Sequence, residues 1–85
     1  MKTILKYEDG GHGWYAVEKD YVKLLGISEK VSGYSYEKDG LAYLEEDCDA
    51  SLLLDAMEAK GYEYVIERIY QKGNSPIRGY RSFRA

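Results

Sequence analysis

A chain of 85 residues buries about 60–65% of its unfolded surface, which serves one hydrophobic core and leaves too little for two. With 45% hydrophobic and 32% charged residues, the composition is that of a folded protein and excludes a disordered chain. The formal net charge of −3 gives the whole chain no attraction for a polyanion, and no run approaches the roughly 18–20 apolar residues of a membrane span.

The charge is segregated along the chain. Residues 1 to 36 hold five acids and five bases, 37 to 60 eight acids and two bases, and 61 to 85 two acids and five bases. An acidic centre and a basic tail can neutralise each other in the fold or present faces of opposite sign to a partner. Ten Tyr against one Trp and one Phe mean that most large rings carry a hydroxyl, which suits half-buried sheet faces and interfaces. Cys48 is the only cysteine, so no internal disulfide forms. The start, MKTILKYEDG, is too short in apolar residues for a signal peptide, and a cytoplasmic location is expected.

In chain order, Thr3 to Tyr7 alternates as a strand, and Trp14 to Val17 resumes β-type residues after the DGGHG loop, so Lys2 to Val17 reads as a hairpin. Glu18 to Leu25 carries Tyr21, Leu24 and Leu25 at helical spacing, with Gly26 as a stop. Val31 to Leu44 is a second hairpin turning at Asp39 and Gly40, in a register that sets Tyr36 opposite Tyr43, Ser35 opposite Leu44 and Tyr34 opposite Glu45. Leu52, Leu53, Ala56 and Met57 mark a helix over Ala50 to Lys60, capped by Asp47 or Asp49 and ended at Gly61. Tyr62 to Tyr70 alternates as the longest strand, and after a turn at Gly73 to Pro76 the segment Ile77 to Phe83 returns as an arginine-rich edge strand. These elements predict an α+β domain over residues 1 to 85, an antiparallel sheet of hairpins with two short helices in the order ββαββαββ.

Three constellations compete for function. Glu45, Glu46, Asp47 and Asp49, joined by Tyr34, Tyr36 and Tyr43 and by His12 and Trp14, would form an acidic, tyrosine-rich surface for a protein partner, with the carboxylates facing outward. A small metal-dependent or hydrolytic enzyme centred on His12 and the Glu45 to Asp49 run is the alternative. Cys48 is a poor nucleophile there, because the flanking carboxylates disfavour a thiolate. The spacing of Asp47, Asp49, Ser51, Asp55 and Glu58 imitates a calcium loop, but Leu52 stands where that loop needs glycine. No metal ligand set and no cofactor is assigned. DGGHG lacks the spacing of a phosphate-binding loop. The third constellation, Arg68, Lys72, Arg78, Arg81 and Arg84 interleaved with Tyr70, Tyr80 and Phe83, would suit nucleic acid, against the overall acidity. Exposed tyrosines on strands are also compatible with a homodimer.

The strings GHGW, LLGI, SGYSY and YLEEDCDASLLLDAM, together with Ser75, Ile77 and Arg78, resemble a family of small uncharacterised proteins of bacteriophages, prophages and plasmids. The resemblance covers about Asp9 to Met57, and YLEEDCD is its most specific part. It implies an accessory protein of a mobile element and carries no catalytic residues. A stoichiometric inhibitor of host defence, of anti-CRISPR or anti-restriction type, is the expectation in that setting.

Overall fold

The computed structural model describes all 85 residues. Six strands and two helices follow in the expected order: β1 (Lys2–Glu8), β2 (Gly13–Glu18), α1 (Lys19–Leu24), β3 (Tyr36–Lys38), β4 (Leu41–Glu45), α2 (Ala50–Ala59), β5 (Tyr64–Tyr70) and β6 (Arg81–Ser82). Short 3-10 turns occupy Ser28–Lys30 and Pro76–Gly79. The α+β class is therefore as read from the sequence. No helix is long and apolar enough to cross a membrane.

The strands make one sheet in the order β5-β1-β2-β4-β3-β6. Both local hairpins form. β1 and β2 pair with Leu5 opposite Ala16 and Tyr7 opposite Trp14. β3 and β4 pair with Tyr36 opposite Tyr43, the predicted register, through a turn in which Asp39 and Gly40 have φ of 51° and 82°. Two consecutive positive φ values twist the turn in the sense that the flanking strands require.

The sheet is mixed, not purely antiparallel: β5 runs parallel to β1, with Ile4 opposite Ile66. The helix α2 separates β4 from β5, and that crossover lets β5 return in the direction of β1. The last predicted hairpin does not form. After β5 the chain leaves the sheet, and β6 adds to β3 at the opposite edge. The second hairpin is also shorter than predicted. Tyr34 and Ser35 do not pair with Glu45 and Leu44, because the Ser35 hydroxyl takes the Glu45 N–H at 3.0 Å and turns the backbone away.

Strand alternation divides the apolar side chains between two faces. The helix face carries Ile4, Val17, Ala42 and Leu44, packed with Val22, Leu25, Leu53, Met57 and Phe83. In α1 the buried residue is Val22, with Leu25 buried just after the helix, while Leu24, expected in the stripe, is 68% exposed. The outer face carries Trp14 and Tyr43 beneath Ile77, ringed by Tyr7, Tyr36 and Tyr80. Ile77 belongs to the segment between β5 and β6, so the C-terminal chain covers this face as it crosses from one edge to the other.

Candidate functional site

A cleft of about 410 Å³ opens on the outer face where β2, β4 and the C-terminal crossing meet, lined by His12, Trp14, Tyr34, Tyr36, Glu45, Asp47, Cys48 and Arg78. Neighbouring strands bring two of these together directly: Trp14 is the cross-strand partner of Glu45. Alternation then puts Tyr36, opposite Tyr43, on the same face.

His12 is held by the loop that precedes β2. The Asp9 carboxylate accepts the N–H groups of Gly11 and His12 at 3.0 and 2.9 Å, an Asx-type turn, and Asp9 N–H donates to the His12 carbonyl. The same carboxylate accepts the Ser75 N–H and both arms of Arg78, so one buried acid ties the histidine loop to the C-terminal crossing. The Arg78 guanidinium, and after it the Ser75 N–H, hold the Asp9 carboxyl far below the usual carboxylate range. Gly11 fits closely here, since a Cβ at that position would lie 3.1 Å from the Arg78 Nη2.

The imidazole lies against Trp14, ring centres 5.9 Å apart, and its Nδ1 lies 3.3 Å from the Glu45 Oε2. The other Glu45 oxygen accepts the Asp47 N–H at 2.7 Å. In the neutral tautomer that donates from Nδ1 to this carboxylate, Nε2 is an acceptor, and no protein group bonds to that atom. Trp14 is 2% exposed, and its indole N–H has no acceptor. Arg78 packs with its Cζ 5.7 Å from the Trp14 ring centre, and Tyr36 meets the same indole edge-on. Cys48 is exposed at the rim. Loss of hydration and the carboxylates of Glu45, Asp49 and Asp47 push its thiol up, which keeps it protonated and a weak nucleophile. No three His, Cys, Asp or Glu side chains converge as metal ligands.

Of the predicted acidic surface, only part assembles as expected. His12, Trp14, Tyr34, Tyr36, Glu45 and Asp47 share the cleft. Two of the four acids turn inward. Glu45 forms the floor beside His12, and Asp49 is 3% exposed, its carboxylate taken by Ser32 and Ser35 and not by the first amides of α2. Asp49 therefore fastens the Ser32 to Ser35 turn to the start of α2, and it is unavailable to a partner. Glu46 pairs with Lys6 at 3.1 Å, outside the cleft. Tyr43 is buried beneath it, its ring centre 5.2 Å from that of Tyr80 and 6.1 Å from that of Tyr7.

The basic set is dispersed. Arg68 lies on β5 and pairs with Glu8, whereas Arg81 lies on β6 at the far edge and pairs with the buried Glu37. Lys72 is exposed in the chain after β5, and Arg84 is exposed beyond β6, its backbone N–H on Glu37. Arg78 alone enters the cleft. Sequence reading placed Arg78 in a strand and missed Asp9 and Ser35. An aspartate before two glycines is the signature of a side chain folding back onto its own loop, and it could have identified Asp9. Nothing local marks Ser35. Comparison with protein-family models, with curated proteins and with solved structures finds no match.

Proposed function

We propose that this protein acts by binding a protein partner, and that the cleft around Trp14 receives a positively charged side chain of that partner. The observation that carries the reading is a charge balance. Glu45 and Asp47 contribute two carboxylates to a wall of Trp14, Tyr34 and Tyr36, while the single guanidinium there, Arg78, is already matched by Asp9. Aromatic faces attract cations, and a carboxylate on a low-dielectric floor strengthens that attraction. Tyr34, 72% exposed, stands as an amphipathic anchor at the rim. The same negative balance works against a phosphodiester. The mobile-element resemblance suggests a host defence protein as the partner, because a groove built for nucleic acid supplies such basic side chains.

The test uses N-acetyl-arginine amide as a probe, followed at the Trp14 indole resonance, alongside capture of host proteins on the immobilised chain. The wild type should show a saturable shift and retain a partner. Asp47→Arg and Tyr34→Ala should lose both while keeping the circular dichroism of the wild type. Unchanged capture by those variants would remove the reading.

A second reading, acid–base catalysis, draws on the His12 to Glu45 hydrogen bond and the unengaged Nε2. Its test is turnover of a panel of simple esters and amides. Activity lost in His12→Gln would favour it, and rates equal to buffer would dismiss it.

A further inference from the structure

The two edges of the sheet are unlike. β6 is two residues long and carries Arg81, and both properties discourage a further strand. β5 spans seven residues without proline, glycine or bulge. Its neighbourhood holds Tyr62, Val65 and Tyr70, half of the six large hydrophobic side chains exposed in the molecule, beside the exposed charges of Glu67 and Arg68, so apolar surface is concentrated at this longer edge.

Backbone directions along β5 follow from its bonds to β1. Lys2 N–H donates to the Glu63 carbonyl, and Gln71 N–H donates to the Glu8 carbonyl. In a parallel pair a residue turns both its N–H and its C=O to the same side, so the odd-numbered residues face β1. Tyr64, Ile66, Arg68 and Tyr70 therefore direct theirs to the open edge, and none of these groups bonds to a segment outside the sheet.

We propose that two copies of this chain pair antiparallel through β5, about a two-fold axis at Ile66, joining their sheets into one. The outward groups lie on even-numbered residues, so even must meet even, and the axis has to pass through a residue and not between two. Only centres at Ile66, Glu67 and Arg68 overlap most of β5 (Tyr64–Tyr70), and among these charge selects the residue. Centring on Glu67 opposes it to Glu67 of the second copy, and centring on Arg68 opposes two arginines. Centring on Ile66 sets Tyr64 against Arg68, Val65 against Glu67, Tyr62 against Tyr70 and Ile66 against itself, with no like charges opposed. In this register Val65 and Glu67 form a non-hydrogen-bonded pair, the kind in which facing side chains come closest. So narrow an interface gives a concentration-dependent dimer, with a dissociation constant of about micromolar or weaker.

The register makes the test sharp, because Val65 is 45% exposed and tolerates replacement without loss of core packing. Sedimentation equilibrium of the full chain should show a monomer–dimer equilibrium up to millimolar concentration. Val65→Glu sets an acid against Glu67 of the second copy at two symmetric places and should weaken dimerisation about tenfold or more. Val65→Lys sets a base there and should leave it equal or tighter, most clearly at low salt. The Ile66 and Arg68 amides should exchange more slowly as concentration rises. A monomer at every concentration, or equal weakening by both variants, overturns the proposal.

Discussion

Asp9 and Arg78, 69 positions apart in the sequence, meet through two hydrogen bonds, Nε to Oδ2 at 2.7 Å and Nη2 to Oδ1 at 2.9 Å. The Asp9 side chain is 1% exposed, and its remaining capacity is filled by three backbone N–H groups. Removing its charge leaves the guanidinium without its counter-ion and slackens both the histidine loop and the C-terminal crossing. Asp9→Asn should lower the urea midpoint by more than Glu8→Gln, whose partner Arg68 is 69% exposed and screened by water. Equal midpoints for the two variants would show that the buried Asp9–Arg78 pair holds the fold no more firmly than the Glu8–Arg68 pair does.

Asp9 and Glu37 give the fold a pH dependence of defined sign. Lys19, followed by the Arg84 N–H, lowers the Glu37 carboxyl to about 2, and Arg78 holds Asp9 well below its usual value. Both are depressed in the folded state, so the unfolded chain binds more protons on acidification, and stability falls with pH. The contribution is complete above the ordinary carboxylate values of 4.5 and 3.8, and that of Glu37 is lost as pH drops toward about 2. Urea midpoints at successive pH values between about 5 and 2.5 should decline steadily. Glu37→Gln should flatten part of that slope at the expense of stability near neutrality.

Ser35 is fully buried, donates to Asp49 at 2.5 Å and accepts the Glu45 N–H at 3.0 Å. Ser35→Ala leaves that N–H without its partner and takes one of the donors from a buried carboxylate, at a cost of about 2 kcal/mol. Denaturant unfolding measures it, and a loss below about 0.5 kcal/mol would mean that other groups hold the turn.

Leu53 is fully buried on the face of α2 that meets the sheet, and Leu24 projects into solvent from α1. Leu53→Ala should cost about 2–5 kcal/mol, through lost transfer energy and the cavity left behind. Leu24→Ala should stay within about 0.5 kcal/mol. The pair separates the residue that packs from the one that only shares its helical spacing.

Local chemistry accounts for the features legible in the sequence. Asp39 and Gly40 specify a tight turn, and the turn sets Tyr36 opposite Tyr43 without help from the rest of the chain. The spacing of Leu53 and Met57 specifies a helix with one buried side. Errors arise where a local signal was satisfied by a distant partner. Asp49 has the chemistry of a helix cap, yet Ser32 and Ser35 claim it, and the pairing expected of Ser35 fails for the same reason. His12 and Glu45 were each marked as candidates by residue type, but only the adjacency of β2 and β4 puts them 3.3 Å apart.

From the sequence alone came the α+β class, the order of strands and helices and the two local hairpins. Each of these follows from periodicity or turn chemistry within about ten residues, a range over which the backbone itself enforces geometry. Only the tertiary structure decided that β5 lies parallel to β1, that β6 crosses to the opposite edge, and that Glu45 and Asp49 turn inward while Arg78 joins the cleft. The parallel pairing follows from the α2 crossover, and the other outcomes depend on which buried charge finds which donor across the whole chain. A carboxylate such as Asp9 accepts any suitable N–H or guanidinium, and packing around Trp14 and Ile77 selects the one that reaches it.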